Sequence, residues 1–203
     1  MKTAVVALIV PNIVMDGVQA LRRGRLGGTA RRFAVLIVFG ALGTVLGTRL
    51  LVLLPARVAT LILGGFVLAF VGVTFARLAP RIAPAWEARL GAPVGFLTGL
   101  IGGITNVPGT PLVVYFYALG MEKDEFVRAV AFTFVIYKVV QLGAVTYYGL
   151  LTWRLLWLSA GLTVVALGGF ALGLRLQDRL DQRTFNRAVL GFLTALGLWL
   201  VVR

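Results

Sequence analysis

Runs of about twenty apolar residues, each closed by a short arginine-bearing connector, dominate the pattern along this chain. A bilayer core of about 30 Å takes about 20 helical residues at 1.5 Å each. The spacing predicts helices near 3–21, 33–54, 58–77, 93–119, 126–148, 155–176 and 185–202. Continuous apolar runs of this length lack the period-two alternation of a membrane barrel, which excludes strands. The first run has no small-residue cleavage site before polar sequence, so it reads as a membrane helix rather than a removed signal. The expected fold is all-α: a polytopic transmembrane helical bundle of about seven hydrophobic segments, forming one transmembrane domain over 1–203.

One stretch breaks the pattern. Residues 99–111, GLIGGITNVPGTP, place four glycines, two prolines and an asparagine inside an apolar segment. In hydrocarbon every backbone N–H and C=O needs a partner, so a broken helix persists only where protein or a water-filled cavity surrounds it. Gly102 and Gly103 allow close backbone approach, and Pro108 and Pro111 interrupt the hydrogen-bond ladder. A helix resuming near Thr110 would present free N–H groups and the positive end of its dipole, an arrangement suited to an anion. The alternative is that these glycines serve tight helix packing, as Gly95 and Gly99 do in a GxxxG spacing.

Polar side chains within other runs point to a shared cavity. Asn12, Asp16 and Gln19 fall on one face of the first helix, and Lys138 and Gln141 share a face of a later one. A charge costs about 2.5 to 3.5 kcal/mol at a helix centre on insertion scales, so both faces are expected to point inward. Two readings of Lys138 stand: an internal ion pair with Asp16, or contact with a substrate's charge. The candidate substrate-binding set is Gly102, Gly103, Thr105, Asn106, Thr110, Lys138, Gln141, Asn12 and Asp16. Arg49 and Arg175 lie nearer helix ends and are expected to snorkel to headgroups. Tyr115, Tyr117, Tyr147 and Tyr148 are expected as interfacial anchors.

Shifting the chain by 126 residues aligns 43–77 with 169–203 without a gap, with eleven identities in 35 positions. Gly43/Gly169, Gly47/Gly173, Arg49/Arg175 and Arg57/Arg183 carry most of that signal, since apolar composition alone would not match glycine and arginine at fixed spacing. The same register sets Gly17 on Gly143 and Asn12 on Lys138. The chain therefore reads as an incomplete first repeat, 1–77, and a second repeat, 91–203. The first lacks a counterpart of the Gly/Pro-interrupted element, which would fall before residue 1; a misplaced start or a protein working without it would both account for this.

Topology turns on whether 93–119 crosses. If it does, placing the loop RRGRLGGTARR inside puts 10 Lys and Arg inside and nine outside, leaving Lys138 out; if it is re-entrant, the division is 14 and five. The positive-inside rule favours re-entry, which would invert one repeat relative to the other.

Composition narrows the chemistry. Hydrophobic residues make up 60% of the chain and charged residues 13%, half of what soluble domains carry. The net charge of +13 sits mainly on arginines bordering the runs, where it fixes orientation and meets anionic lipid, so no nucleic-acid partner is expected. Cysteine and histidine are both absent, which removes disulfides, thiolates, imidazole bases and the usual zinc ligands. Neither an enzyme nor a metal or other cofactor is expected. Asp16 is the sole carboxylate deep in a run, too little for an intramembrane active site.

The run GFLTGLIGGITNVPGTPLVVYFYALGMEKDEFVRAVAF, the helix holding Lys138, the segment GLLTWRLL and the later GGFALGLRL and FNRAVLGFLTALGLWL resemble the second half of the sulfite exporter TauE/SafE family. The resemblance implies a multi-pass permease of the bacterial inner membrane, built from two related halves, that moves small sulfur-containing or organic anions, often outward. Two departures stand out: one glycine-rich element where the family carries two, and GGITNVPGTP in place of a longer glycine run. The expected function is an exporter for sulfite, a sulfonate or a related organic anion, driven by the membrane potential or a coupled ion. Its partners are a small anion and the lipid bilayer, with a homo-oligomer left open. The competing expectation is a non-transporting truncated membrane protein that needs a partner chain or acts as an assembly factor.

Overall fold

The computed structural model describes residues 2–22, 26–55, 57–58, 61, 65, 82–106, 109–179, 181 and 184. Among them run eight α-helices: α1 (Lys2–Ala7), α2 (Ile9–Leu21), α3 (Leu26–Arg32), α4 (Ala34–Leu53), α5 (Pro84–Thr105), α6 (Gly109–Ala118), α7 (Lys123–Tyr147) and α8 (Trp153–Arg179). No strand occurs among the described residues. Among the described residues, four segments are long and apolar enough to cross a membrane: Lys2–Leu21, Ala34–Leu53, Lys123–Tyr147 and Trp153–Leu176. The helix expected at 185–202 lies outside the described residues, as does the one at 58–77 apart from residues 58, 61 and 65.

Three boundaries differ from the sequence expectation, each for a local reason. The segment expected as one helix at 3–21 is interrupted by a turn at Leu8. Pro11 has no N–H to give the carbonyl of Ala7, four residues earlier, and its ring crowds that oxygen. The freed Ala7 carbonyl instead accepts a hydrogen bond from Ser159 Oγ, buried on α8. Pro11 thus creates a vacancy that a neighbouring helix fills, the usual way a membrane helix tolerates proline. Helix α5 starts at Pro84, well before the expected residue 93, because the charges of Glu87 and Arg89 lower hydropathy without disfavouring helix. Proline at the first helical position and Glu87 in the first turn are both favourable there. A short helix, α3, also occupies part of the arginine-rich connector.

The tightest packing joins α4 to α5 backbone to backbone. A methyl group built on Gly99 would lie 1.9 Å from the Gly40 carbonyl oxygen, one on Gly95 2.2 Å from that of Leu36, and one on Gly47 2.2 Å from that of Leu100. No side chain could enter this seam, so its glycines are there for close approach, as GxxxG faces are in membranes. Thr44 and Thr48 turn their hydroxyls back onto carbonyls one turn earlier, so neither hydroxyl is left bare in the contact.

Side-chain contacts at the helix ends fix the directions. Lys2 Nζ donates to Val52 O at 2.6 Å, so α1–α2 and α4 are antiparallel. Arg32, at the end of α3, pairs with Glu125 in the first turn of α7, so α4 and α7 run the same way. Arg22 meets Asp178 near the end of α8, which therefore runs alongside α2. The α5–α6 segment goes in and comes back: Ile82 N–H donates to Ala118 O at 2.9 Å, and the Tyr115 hydroxyl donates to Glu87 O at 2.7 Å. Its two ends meet at the Arg32 end of the bundle. The apolar cluster of Phe33, Leu36, Leu112, Phe116, Ala129 and Tyr137 packs the returning α6 against α4 and α7.

Candidate functional site

The glycine-, proline- and asparagine-bearing stretch is a true discontinuity. Helix α5 ends at Thr105, Asn106 caps it in the left-handed conformation with φ 66°, and α6 begins at Gly109. Asparagine tolerates that backbone region better than most non-glycine residues. Val107 and Pro108, and the side chain of Thr110, lie outside the described residues. Pro111 falls in the first turn of α6, where its missing N–H breaks no bond.

A helix that stops leaves its last carbonyls without intrahelical partners, and in a membrane interior water does not supply them. Here α7 contributes donors, and Gly102 O accepts from the Asn106 N–H as well. Gln141 Nε2 donates to Gly102 O at 3.3 Å and to Gly103 O at 3.1 Å. Lys138 Nζ donates to Asn106 O at 3.1 Å, to Asn106 Oδ1, and to Gln141 Oε1 at 3.1 Å. An ammonium has three donors and a primary amide two, so every hydrogen of both groups is engaged. Both side chains are almost fully buried, at 2% and 1% exposed. Lys138 lies 15 residues into a 25-residue helix, about 22 Å along one about 37 Å long. It also sits at the carboxyl end of α5, where the helix dipole favours a cation.

The structure thus gathers Gly102, Gly103, Asn106, Lys138 and Gln141. Thr105 stands beside them, but its hydroxyl donates to Ile101 O of its own helix. Gly103 has a second duty, since a methyl group there would lie 2.6 Å from Thr44 O. The packing reading therefore holds for Gly103 along with Gly95 and Gly99. Asp16 reaches the group by its field: it interacts electrostatically with Lys138 without a direct ion pair. Asn12, one turn away on the same helix, is half-buried.

Other expectations divide. Arg49 and Arg175 are exposed, consistent with snorkelling, and Tyr147 is 84% exposed beside Tyr148. Tyr115 is not an interfacial anchor: it is buried in the apolar cluster, with its hydroxyl on the Glu87 carbonyl.

Sequence reasoning missed the closure of the Arg32 end. Arg32 forms a two-pronged pair with Glu87, at 2.7 and 2.9 Å, and reaches Glu125 at 2.6 Å, joining α3, α5 and α7. The hydrogen bond it donates to Glu87 holds the Arg32 guanidinium above its ordinary pKa against a smaller opposing effect of burial. The one sequence signal was a glutamate in the first turn of both α5 and α7, since nothing local specifies a partner 55 or 93 residues away.

Neither the curated proteins nor the solved structures gave a match to this chain. The family model described as "Sulfite exporter TauE/SafE" matches residues 1–200. A multi-pass helical bundle with this match over nearly its whole length belongs to the sulfite exporter TauE/SafE family.

Proposed function

We propose that this protein is a bacterial inner-membrane permease for a small anion, such as sulfite, a sulfonate or a related organic anion, working by a secondary mechanism. Its family consists of membrane transporters for sulfite and related anions. The observation that carries the site is the break at Asn106, where a helix end, a buried lysine and the start of a second helix converge between apolar walls. The anion would sit at the break beside the Lys138 ammonium, taking the first amides of α6, at Gly109 and Thr110, and the Asn106 and Gln141 amides as neutral donors. Thr105 flanks the position, Gly102 and Gly103 keep the backbone close, and Asn12 and Asp16 form the opposite wall. For binding, Lys138 and Gln141 each exchange one of their present oxygen acceptors for the anion, and Gly102 O keeps the Asn106 N–H.

Residues 1–77 and 91–203 serve as two related halves in this reading. Support comes from direction: the sequence-matched pairs α2 with α7 and α4 with α8 each run antiparallel, as inverted-repeat carriers require. An uncoupled monoanion would gain about 2.3 kcal/mol per 100 mV toward the outside of a negative cell interior, enough for export without ATP.

The saturation of Lys138 and Gln141 favours a second reading, in which the two only close the broken end of α5 and nothing is transported. Vesicles containing the purified protein separate the two. The permease reading expects radiolabelled sulfite to cross faster than in protein-free vesicles and expects Lys138→Met to abolish the excess; sulfite flux equal to the protein-free rate, or unaltered by Lys138→Met, would reject it.

A further inference from the structure

Asp16 and any bound anion must share one lysine. The face of α2 that meets α7 packs Ile9 and Ile13 against Leu142 and Val145. The two helices run antiparallel, so steps of three or four residues pair Ile9 with Val145, Ile13 with Leu142 and, one step further, Asp16 with Lys138. The same geometry explains why each feels the other's field although the ammonium spends its three hydrogens on Asn106 and Gln141. Lys138 thus gives its hydrogen bonds to neutral oxygens and takes its charge balance from Asp16.

Among the described residues nothing else charged faces Asp16. On its own helix Asn12 and Gln19 are neutral, and Arg22 is engaged by Asp178. On α7 no other charge lies between Arg128 and Tyr147, and the neighbouring Tyr137 hydroxyl points to Leu36 O. Helix α8 passes with Ser159 at Ala7 and Asp178 at Arg22, and it carries no charged residue between Ser159 and Arg175. On α1 the one charge, Lys2, is at the far end on Val52 O.

Building on the anion-permease reading, we propose that Asp16 is the proton-coupling residue of the site. A carboxylate and an anion beside a single buried cation leave one negative charge unbalanced in a low-dielectric interior, which is strongly unfavourable. When the anion takes its place at Lys138, the Asp16 carboxylate therefore binds one proton from water on the loading side. The O–H bond breaks again on the other side, returning the proton to water as the anion leaves and Lys138 recovers Asp16 as its counter-charge. Asp16 acts through Lys138 and does not touch the anion. Each monoanion then crosses with one proton and no net charge, so a pH gradient drives it toward the more alkaline side, in place of the potential-driven exit of an uncoupled anion.

The test uses the full chain in vesicles with radiolabelled sulfite, driven either by a potassium diffusion potential at equal pH or by a pH step at zero potential. Sulfite's own ionisation is identical for every variant, so differences between variants belong to the protein. Wild type is expected to follow the pH step and ignore the potential. Asp16→Asn should reverse this, losing the protein's share of the pH response and distributing monoanion about fifty-fold per 100 mV. Asp16→Glu should behave as wild type. Wild-type flux that follows potential at equal pH overturns the proposal, as does Asp16→Asn protein that keeps the wild-type pH response or is monodisperse yet inert under both drives. Wild-type flux no faster than protein-free vesicles under either drive rejects instead the permease reading beneath it.

Discussion

Helices α4 and α8 share a pattern of glycine and arginine, Gly43, Gly47 and Arg49 against Gly169, Gly173 and Arg175, yet they live in opposite surroundings. In α4, 39% of the apolar window is buried, and a methyl group on Gly43 would lie 2.2 Å from the Phe96 carbonyl oxygen. In α8 only 6% is buried, and among the described residues nothing lies within 4 Å of a methyl group on Gly169 or Gly173. Among the described residues, the same small-residue face is a sealed seam in one helix and an open surface in the other. What differs is the partner: α4 has α5, with glycines at 91, 95, 99 and 103, lying along it. A glycine stripe specifies how closely something can approach, and not whether anything does.

That contrast breaks most readily at its tightest point. Gly99→Leu places a branched side chain where even a Cβ meets the Gly40 backbone, which cannot move aside as a side chain could. The expected loss is at least about 3 kcal/mol, read as failure to accumulate or a large fall in thermal midpoint in detergent. A midpoint near wild type would show that α4 and α5 do not touch as described. Next in size is Lys138→Met, which strips Asn106 and Gln141 of their donor and leaves Asp16 without a counter-charge. Breaking a buried charged network of this kind costs about 3 kcal/mol, and chemical or thermal unfolding should show it.

Smaller effects come from α8. Ser159→Ala should cost about 1 kcal/mol by orphaning the Ala7 carbonyl. In a double-mutant cycle, that cost should shrink when Pro11→Ala lets residue 11 bond to the same carbonyl; additive losses would contradict the role assigned to Pro11. Smallest of all, Gly169→Ala and Gly173→Ala should change stability by no more than about 0.5 kcal/mol, whereas Gly95→Ala on the sealed face should cost more. Equal effects on the two faces would erase the distinction between α4 and α8.

The sequence made the architecture readable where the signal was local. Apolar run length located α4, α7 and α8 to within a few residues, and Gly102, Asn106 and Pro108 announced the break in α5–α6. Pro11 was an equally local signal for the turn at Leu8, overlooked because hydropathy stays high across it. The polar residues Lys138 and Gln141 stood out as misfits in an apolar run, but their partners did not. Hydrogen bonds to Gly102, Gly103 and Asn106 span 32 to 39 residues and depend on α7 lying beside the break, which no periodicity encodes. The Arg32 link to Glu87 and Glu125 was hidden for the same reason, and Tyr115 was misplaced because its ring suits a membrane interface and a core equally well.

Everything about the site rests on an anion reaching the Lys138 ammonium at the break. The most direct measurement is the thermal midpoint of the purified protein in detergent as sulfite is raised, compared between wild type and Lys138→Met, with chloride at matched ionic strength as control. A ligand that binds only the folded chain stabilises it by about 2.7 kcal/mol at one hundred times its dissociation constant, so the wild-type midpoint should climb with sulfite and the variant's should stay flat. Midpoints that fail to rise in wild type, or that rise equally in both, would contradict the account.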